Sequence, residues 1–321
     1  MKIEIYPLTF EPILKEKIWG GQKLYDRFSK GKDSHAKVGE SWEIADLKEG
    51  QSIVSAGDLK GKSLKEVIAL DAAGILGKKV FERFGKQFPL LIKFIDAAKD
   101  LSIQVHPSDE TSPTGVGKTE MWYIMQADAG AKITVGFKPD MTREIFEKHI
   151  DENTVEDAMD THSVSHGDSF FINAGRIHAI GGGVLLAEIQ QTSDVTYRVY
   201  DYNRKDDNGE LRQLHIEESK DVLEYKNTQD FKLDYPRKTN EVETLKHHDY
   251  FKTDWMHLEE HQHSIDRKDA FTIIMAVSGS LTYSFQDKKN TLDAGQTVLI
   301  PAQCGPVELE AKDCEFLEVY L

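Results

Sequence analysis

Along residues 101–106 the chain alternates apolar and polar positions. In an extended segment this places Leu101, Ile103 and Val105 on one face and Ser102, Gln104 and His106 on the other. The same period recurs where Lys118, Glu120 and Trp122 share a face opposite Met121 and Tyr123. Pro89–Ile95 is a continuous apolar run interrupted only by Lys93, which predicts a buried strand. Residues 1–55 read as irregular structure with short strands, their turns and strand starts marked by Trp19-Gly20-Gly21 and Gly39–Ile44. Helical patterning is confined to two regions. Ser63 and Glu66 form a capping box ahead of an apolar pattern that runs to about Leu76, and a second helix covers about Lys79–Phe84. Thr142–Ile150 and Asn153–Met159 predict two more helices, the second with Asn153 and Glu156 as its capping box. The remainder is short strands separated by Gly, Asp and Asn turns. The expected class is mainly β with helical insertions at about 63–86 and 142–160.

Composition narrows the setting. The chain has 321 residues, 39% of them hydrophobic, enough for two ordinary domains and a substantial core. The formal net charge of −15 and the lack of a basic block argue against nucleic acid and anionic membranes as partners. No apolar run approaches the roughly 20 residues that span a bilayer. The N-terminal residues lack the apolar core of a signal peptide. Cys304 and Cys314 are the only cysteines, which fits reduced thiols and a cytoplasmic location. An anionic substrate would need a few cations gathered in one cleft.

The alternating segments also carry the candidate chemistry. Gln104, His106, Glu120 and, from a later strand and turn, His178 offer two imidazoles, a carboxylate and an amide oxygen. Two His and one Glu at a partly open site suit a catalytic zinc or a similar divalent ion, one per chain. Their wide spacing calls for several strands of one sheet or barrel. His162, His166 and His215 read as structural or exposed. The cluster His247, His248, His257, His261 and His263 lacks a carboxylate at strand spacing. Lys93, inside an apolar run, needs either a carboxylate partner or a cleft that holds an anion. Arg198 lies in a strand-like run, with Glu188 on the preceding strand as its candidate partner.

A weak internal repeat lays Gly167–His178 on Gly295–Pro306: each is a glycine turn, an apolar strand and a tight turn. Pro306 stands at the position of His178, and no carboxylate stands where Glu120 does. A polar passage at about 226–248 divides a first domain, 1–235, from a second, 236–321. The second is expected to share the fold of the first and lack its metal.

Gln104-x-His106 with Glu120, followed by Gly167-(x)5-Asn-Ala-Gly175-x-x-His178, resembles the two metal-binding motifs of the cupin superfamily, with Asn173 at the usual proline. Leu101–Pro107, Lys118–Trp122 and Ser193–Tyr202 narrow the likeness. The chain resembles the type I mannose-6-phosphate isomerases of the short bacterial form, over nearly its whole length. That resemblance implies two cupin jelly-roll β-barrels, the first carrying a zinc site, and interconversion of mannose 6-phosphate and fructose 6-phosphate through an enediolate. The implied ligands are His106, Glu120 and His178, with Gln104 or a water as the fourth. Arg198 matches the family's catalytic arginine. Ser102, Lys118, Glu188 and Asp194 match other site positions, with Glu188 and Lys118 as candidates for the carbon base. Lys93 and Arg204 match cationic positions suited to the phosphate. The expected partner is a small sugar phosphate, and the expected assembly a monomer or homodimer. Two alternatives use the same residues: a cupin Fe(II) oxygenase, and a non-catalytic sugar-phosphate-binding protein.

Overall fold

In the computed structural model, which describes residues 4–31, 35–138, 141–205 and 208–321, the alternating segments become strands of two facing sheets. Residues 1–3 and 32–34 of the predicted irregular N-terminal stretch lie outside the described residues. The first sheet has seven strands, in the order Lys232–Leu233, Ser169–Ile172, Glu120–Ala127, Val184–Gln191, Leu90–Ala97, Ile13–Gly21 and Val38–Ile44. The second has five: Met159–Ser163, Lys132–Phe137, His178–Ile180, Ile103–Val105 and Tyr197–Tyr200. All pairings in both sheets are antiparallel.

The first sheet is buried on both faces, which explains why the strand at 90–97 is apolar apart from Lys93 and Asp96. Its inner face sets Ile95, Trp122, Ile124 and Leu186 against Ile133, Val135 and Ile180 of the second sheet. Its outer face sets Ile92, Phe94, Met121, Tyr123 and Ala187 against Val67, Ile68, Ile75 and Val80 of the helical insertion. Trp255, Phe271, Ile273 and Leu317 from the C-terminal part join that outer core. Each such apolar side chain, fully buried, contributes about 1.5–3 kcal/mol. Lys93 alternates with Ile92 and Phe94, so it points inward between the two sheets.

A third, six-stranded sheet is built entirely from residues 242–320. Its long strands Lys252–Ile265, Thr272–Phe285 and Val307–Tyr320 wrap a separate core that includes Met256, Leu258, Ile274, Val298 and Phe316. The repeat between the two halves is visible in register. Gly167 and Gly295 take φ of 82° and 81°, and each opens a strand, Ser169–Ile172 and Thr297–Ile300. Ile172 lies opposite Glu120, and Ile300 lies opposite Thr272. Thr272 therefore takes the place of Glu120 in the second copy.

Three local expectations need correction. The helix expected from Ser63 to Leu76 is two, Leu64–Leu70 and Ala72–Leu76. Asp71 ends the first and caps the second, its Oδ1 accepting from the Gly74 N–H at 3.0 Å. The Ser63–Glu66 capping box is present. The capping box expected at Asn153 and Glu156 does not form. Asn153 instead adopts a left-handed φ of 55°, a conformation its short polar side chain tolerates, and Val155–Ala158 is a single 3-10 turn. A helix Lys23–Phe28 also follows the first long strand, in a region read as irregular and short-stranded.

Candidate metal centre and its cavity

Strand register assembles the site as facing rows. In the second sheet, Val135, His178, Gln104 and Arg198 are successive partners across four strands. In the first sheet, Trp42, Lys93, Glu188 and Trp122 form a row in the same way. Glu120 lies in the neighbouring row, between Gln190 and Ile172. Residues from eight strands, four in each sheet, are thereby brought to one interior space, as the spacing of the candidate ligands requires.

His106, Glu120 and His178 are all buried and offer ligand atoms within 4.8 Å of one another. Glu120 Oε2 lies 3.5 Å from His106 Nε2, and Glu120 Oε1 lies 3.4 Å from His178 Nε2. The second layer around the rings sets their tautomers. His106 Nδ1 sits 3.0 Å from the Val195 carbonyl oxygen, and His178 Nδ1 sits 2.8 Å from that of Arg176. A carbonyl only accepts, so each Nδ1 carries the proton and each Nε2 presents a lone pair toward Glu120. Burial holds both imidazoles neutral: it drives His106 well below the ordinary range and His178 to about 3, and the Lys118 charge adds to the effect.

These atoms suit a divalent cation. Glu120 Oε1 is buried with no hydrogen-bond partner and faces the lone pair of His178 at 3.4 Å, an arrangement that repels unless a positive charge lies between them. Two neutral imidazoles and a carboxylate are the donor set of open zinc and iron sites. Among the described residues, no other group of His, Cys, Asp and Glu side chains converges in this way. Three of the five histidines of the 247–263 stretch are instead paired with a carboxylate each, His247 with Asp254, His257 with Asp313 and His263 with Glu318. Gln104 stands beside the ligands. As oriented, its Nε2 is 3.3 Å from His178 Nε2 and donates to it, so it serves as a ligand only with the amide turned over.

Charged side chains surround the centre. The Lys118 ammonium contacts His106 Nε2 at 2.9 Å and also the carboxylate of Glu120. Lys93 Nζ lies 3.0 Å from Glu188 Oε2 and 3.9 Å from Glu40 Oε2. Burial acts to raise both carboxyls, but Lys93 and Lys118 together outweigh it at Glu188, and Lys93, Lys17 and the Trp42 hydrogen bond together outweigh it at Glu40, so both sit below their ordinary values, Glu40 at about 2. For Glu120 burial prevails over Lys118, and its carboxyl is raised. Lys93 is thus partnered by carboxylates, as one of the two expectations for it required. The pairing expected between Glu188 and Arg198 is not present: Glu188 is taken by Lys93, and Arg198 donates to the Gln213 carbonyl at 2.8 Å.

A cavity of about 330 Å³ opens beside the centre. Lys93, Ser102, Gln104, Lys118, Glu188, Asp194 and Arg198 all line it, so seven of the residues singled out in the sequence share one space. Its walls carry five cationic side chains (Lys17, Lys93, Lys118, Arg198, Arg212) against three carboxylates (Glu40, Glu188, Asp194), a local excess of positive charge in an acidic chain. Arg204 is not among the lining residues. It donates to Asp201 Oδ1 at 2.6 Å and to the Asp100 carbonyl. The sequence reading missed Lys17, Glu40, Trp42 and Arg212. Glu40 and Trp42 could have been found, because period-2 alternation places them on one face; Arg212 lies in a loop with no periodic signal.

Known proteins resemble this chain in sequence and in fold. Residues 8–131 match the family "Phosphomannose isomerase type I, catalytic domain", and residues 241–321 match "Mannose-6-phosphate isomerase, cupin domain". The protein named probable mannose-6-phosphate isomerase GmuF of Bacillus subtilis is 34% identical over 97% of this chain and 98% of its own length. Mannose-6-phosphate isomerase ManA of the same organism is 41% identical over 68% of each chain. The crystal structure of the mannose 6-phosphate isomerase from Bacillus subtilis superposes with a TM-score of 0.89 at 30% identity, covering 99% of this chain and 100% of that one.

Proposed function

The chain belongs to the type I mannose-6-phosphate isomerase family, and on that premise we propose that it interconverts mannose 6-phosphate and fructose 6-phosphate with a divalent ion, zinc, held by His106, Glu120 and His178. Gln104, with its amide turned, or a water completes the ligand set. The observation that carries this reading is the convergence of the His106, Glu120 and His178 ligand atoms beside a cavity whose walls are rich in cations. We further propose that residues 1–235 form the metal-binding cupin domain and 236–321 a cupin-like domain without the metal. Thr272 and Pro306 then stand where the second copy would need ligands.

Isomerisation moves one proton between carbons 2 and 1 and another between their oxygens. When bound, the ion supplies Lewis acidity toward the substrate oxygens. Arg198 contributes a fixed positive charge beside Gln104, where negative charge develops on those oxygens. Glu188 and Lys118 are the candidates for carrying the carbon proton. Glu188 is kept ionised by Lys93 and lies 4.0 Å from Lys118, so the two can relay a proton along the cavity wall that both line. Ser102 and Asp194 offer a hydroxyl and a carboxylate to the sugar hydroxyls. Lys93 and the other cations of the wall attract the phosphate dianion and orient the chain of the sugar.

A coupled assay of fructose 6-phosphate formation from mannose 6-phosphate tests the reading, with the protein as purified, after chelation and after zinc is returned. Turnover that is lost and then restored is the expected result. No turnover with any added divalent ion would overturn it.

A further inference from the structure

One carboxylate near the cavity organises two arginines. Asp201 is 5% exposed. Its Oδ2 accepts from Arg212 Nε at 2.7 Å, its Oδ1 from Arg204 at 2.6 Å, and its Oδ1 also from the terminal nitrogen of Arg212. The side-on fork with Asp201 fixes the plane of the Arg212 guanidinium. Arg204 is further tied to the Asp100 carbonyl and stays off the cavity wall, whereas Arg212 lines it.

The segment that carries Arg212 also braces Arg198. The Gln213 carbonyl accepts from Arg198 at 2.8 Å, His215 Nδ1 accepts from the Arg198 backbone N–H at 3.2 Å, and the His215 N–H donates back to the Arg198 carbonyl at 2.8 Å. Arg198 and Arg212 are thus held on the same wall. Arg198 Nε is buried with no hydrogen-bond partner. Three guanidinium groups gather around the single charge of Asp201. Burial and then repulsion from Arg212 lower the Arg198 guanidinium from its ordinary value, and the attraction of Asp201 only partly offsets this. Positive charge on this wall is left uncompensated, and a dianion in the cavity would neutralise it.

We propose that Arg212 is the phosphate-recognising residue of the cavity, with Asp201 as its positioning residue, and that Arg204 acts only through Asp201. The inference rests on the reading of the cavity as a sugar-phosphate site and deepens it. It revises the expectation that Arg204 itself contacts the phosphate. Selectivity for phosphorylated over free sugar then depends on Arg212, because a planar guanidinium can offer a phosphate paired N–H donors where lysine offers a point charge.

The test uses the metal-loaded full chain and two readouts. The first is direct titration with inorganic phosphate, which needs no turnover and so separates this inference from the isomerase reading. The second is the steady-state assay with mannose 6-phosphate. Arg212→Ala is expected to weaken phosphate binding at least tenfold and to raise KM by a similar factor, with kcat within about threefold of wild type. Arg212→Lys should recover part of the affinity, and Arg204→Ala should lose less than Arg212→Ala in both readouts. Asp201→Asn should move KM in the direction of Arg212→Ala while leaving metal content unchanged, a split that a loss of fold would not produce. Phosphate affinity in Arg212→Ala equal to wild type would overturn the proposal. So would a loss in Arg204→Ala that exceeds the loss in Arg212→Ala.

Discussion

The Tyr250 hydroxyl, on a turn of the third sheet, donates to Asp109 Oδ2 at 2.7 Å and so ties the C-terminal part of the chain to the loop between His106 and Lys118. The other oxygen of Asp109 accepts from the Gly117 N–H at 2.7 Å and from Gln191 Nε2 at 2.9 Å. Gln191 Oε1 in turn accepts from the Thr119 N–H at 2.8 Å, and the base of the loop closes through Lys118 N–H to the Pro107 carbonyl at 3.0 Å. One hydrogen-bonded chain therefore fixes the two ends of the loop, where His106 and Lys118 sit. Tyr250→Phe is expected to cost about 1 kcal/mol of stability in urea unfolding. It should also weaken metal retention against a chelator severalfold. A variant identical to wild type in both measurements would show that this tie does not support the metal site.

Lys93 is buried against two carboxylates on the inner face of the first sheet. Removing the ammonium leaves Glu188 with only the more distant Lys118, 4.0 Å away, and Glu40 with only the part-exposed Lys17 as counter-charge. Lys93→Met should therefore destabilise the fold by about 3 kcal/mol. Adding Glu188→Leu to Lys93→Met should recover part of that loss, because the stranded charge is gone. A double variant less stable than the single one would contradict this account of the pair.

Acid stability should depend on Glu315. Burial raises its carboxyl, but hydrogen bonds from His166 and Tyr123 outweigh burial and bring it from 4.5 to about 2. A carboxyl lowered on folding contributes stability that is complete above its unfolded value and is lost as pH falls through the folded one. Glu315→Gln should thus cost roughly 1–2 kcal/mol at pH 7, reduced by solvent screening at this half-buried site. The gap to wild type should close between pH 4.5 and about 2. His166, raised chiefly by its hydrogen bond to Glu315, acts in the opposite sense, and its share is lost as pH rises through its raised value. Unfolding curves for Glu315→Gln that run parallel to wild type across the acid range would refute this assignment.

Period-2 alternation was legible in the chain because it survives folding unchanged. Ser102 with Gln104, and Glu120 with Trp122, do face the interior together, and the repeat of Gly167–Ile172 in Gly295–Ile300 returns as two strands that each follow a glycine turn. Register between strands was not legible. That His178 lies opposite Gln104, and Gln104 opposite Arg198, depends on which strands pair, and no local pattern encodes that choice. The same gap assigned Glu188 to Arg198 when strand order gives it to Lys93. Asp71 was read as helix interior because the apolar period continues through it, while its carboxylate caps a new helix. Arg212 left no trace because a loop residue acquires its neighbours only from tertiary structure.

The central claim is that His106, Glu120 and His178 hold the ion on which turnover depends. The most direct measurement is elemental analysis of the purified chain, paired with mannose 6-phosphate turnover on the same samples, for wild type and for Glu120→Gln. The account predicts one divalent ion per chain and turnover in wild type, and loss of both in a Glu120→Gln protein that remains folded. A folded Glu120→Gln protein that keeps its metal and its turnover would contradict it.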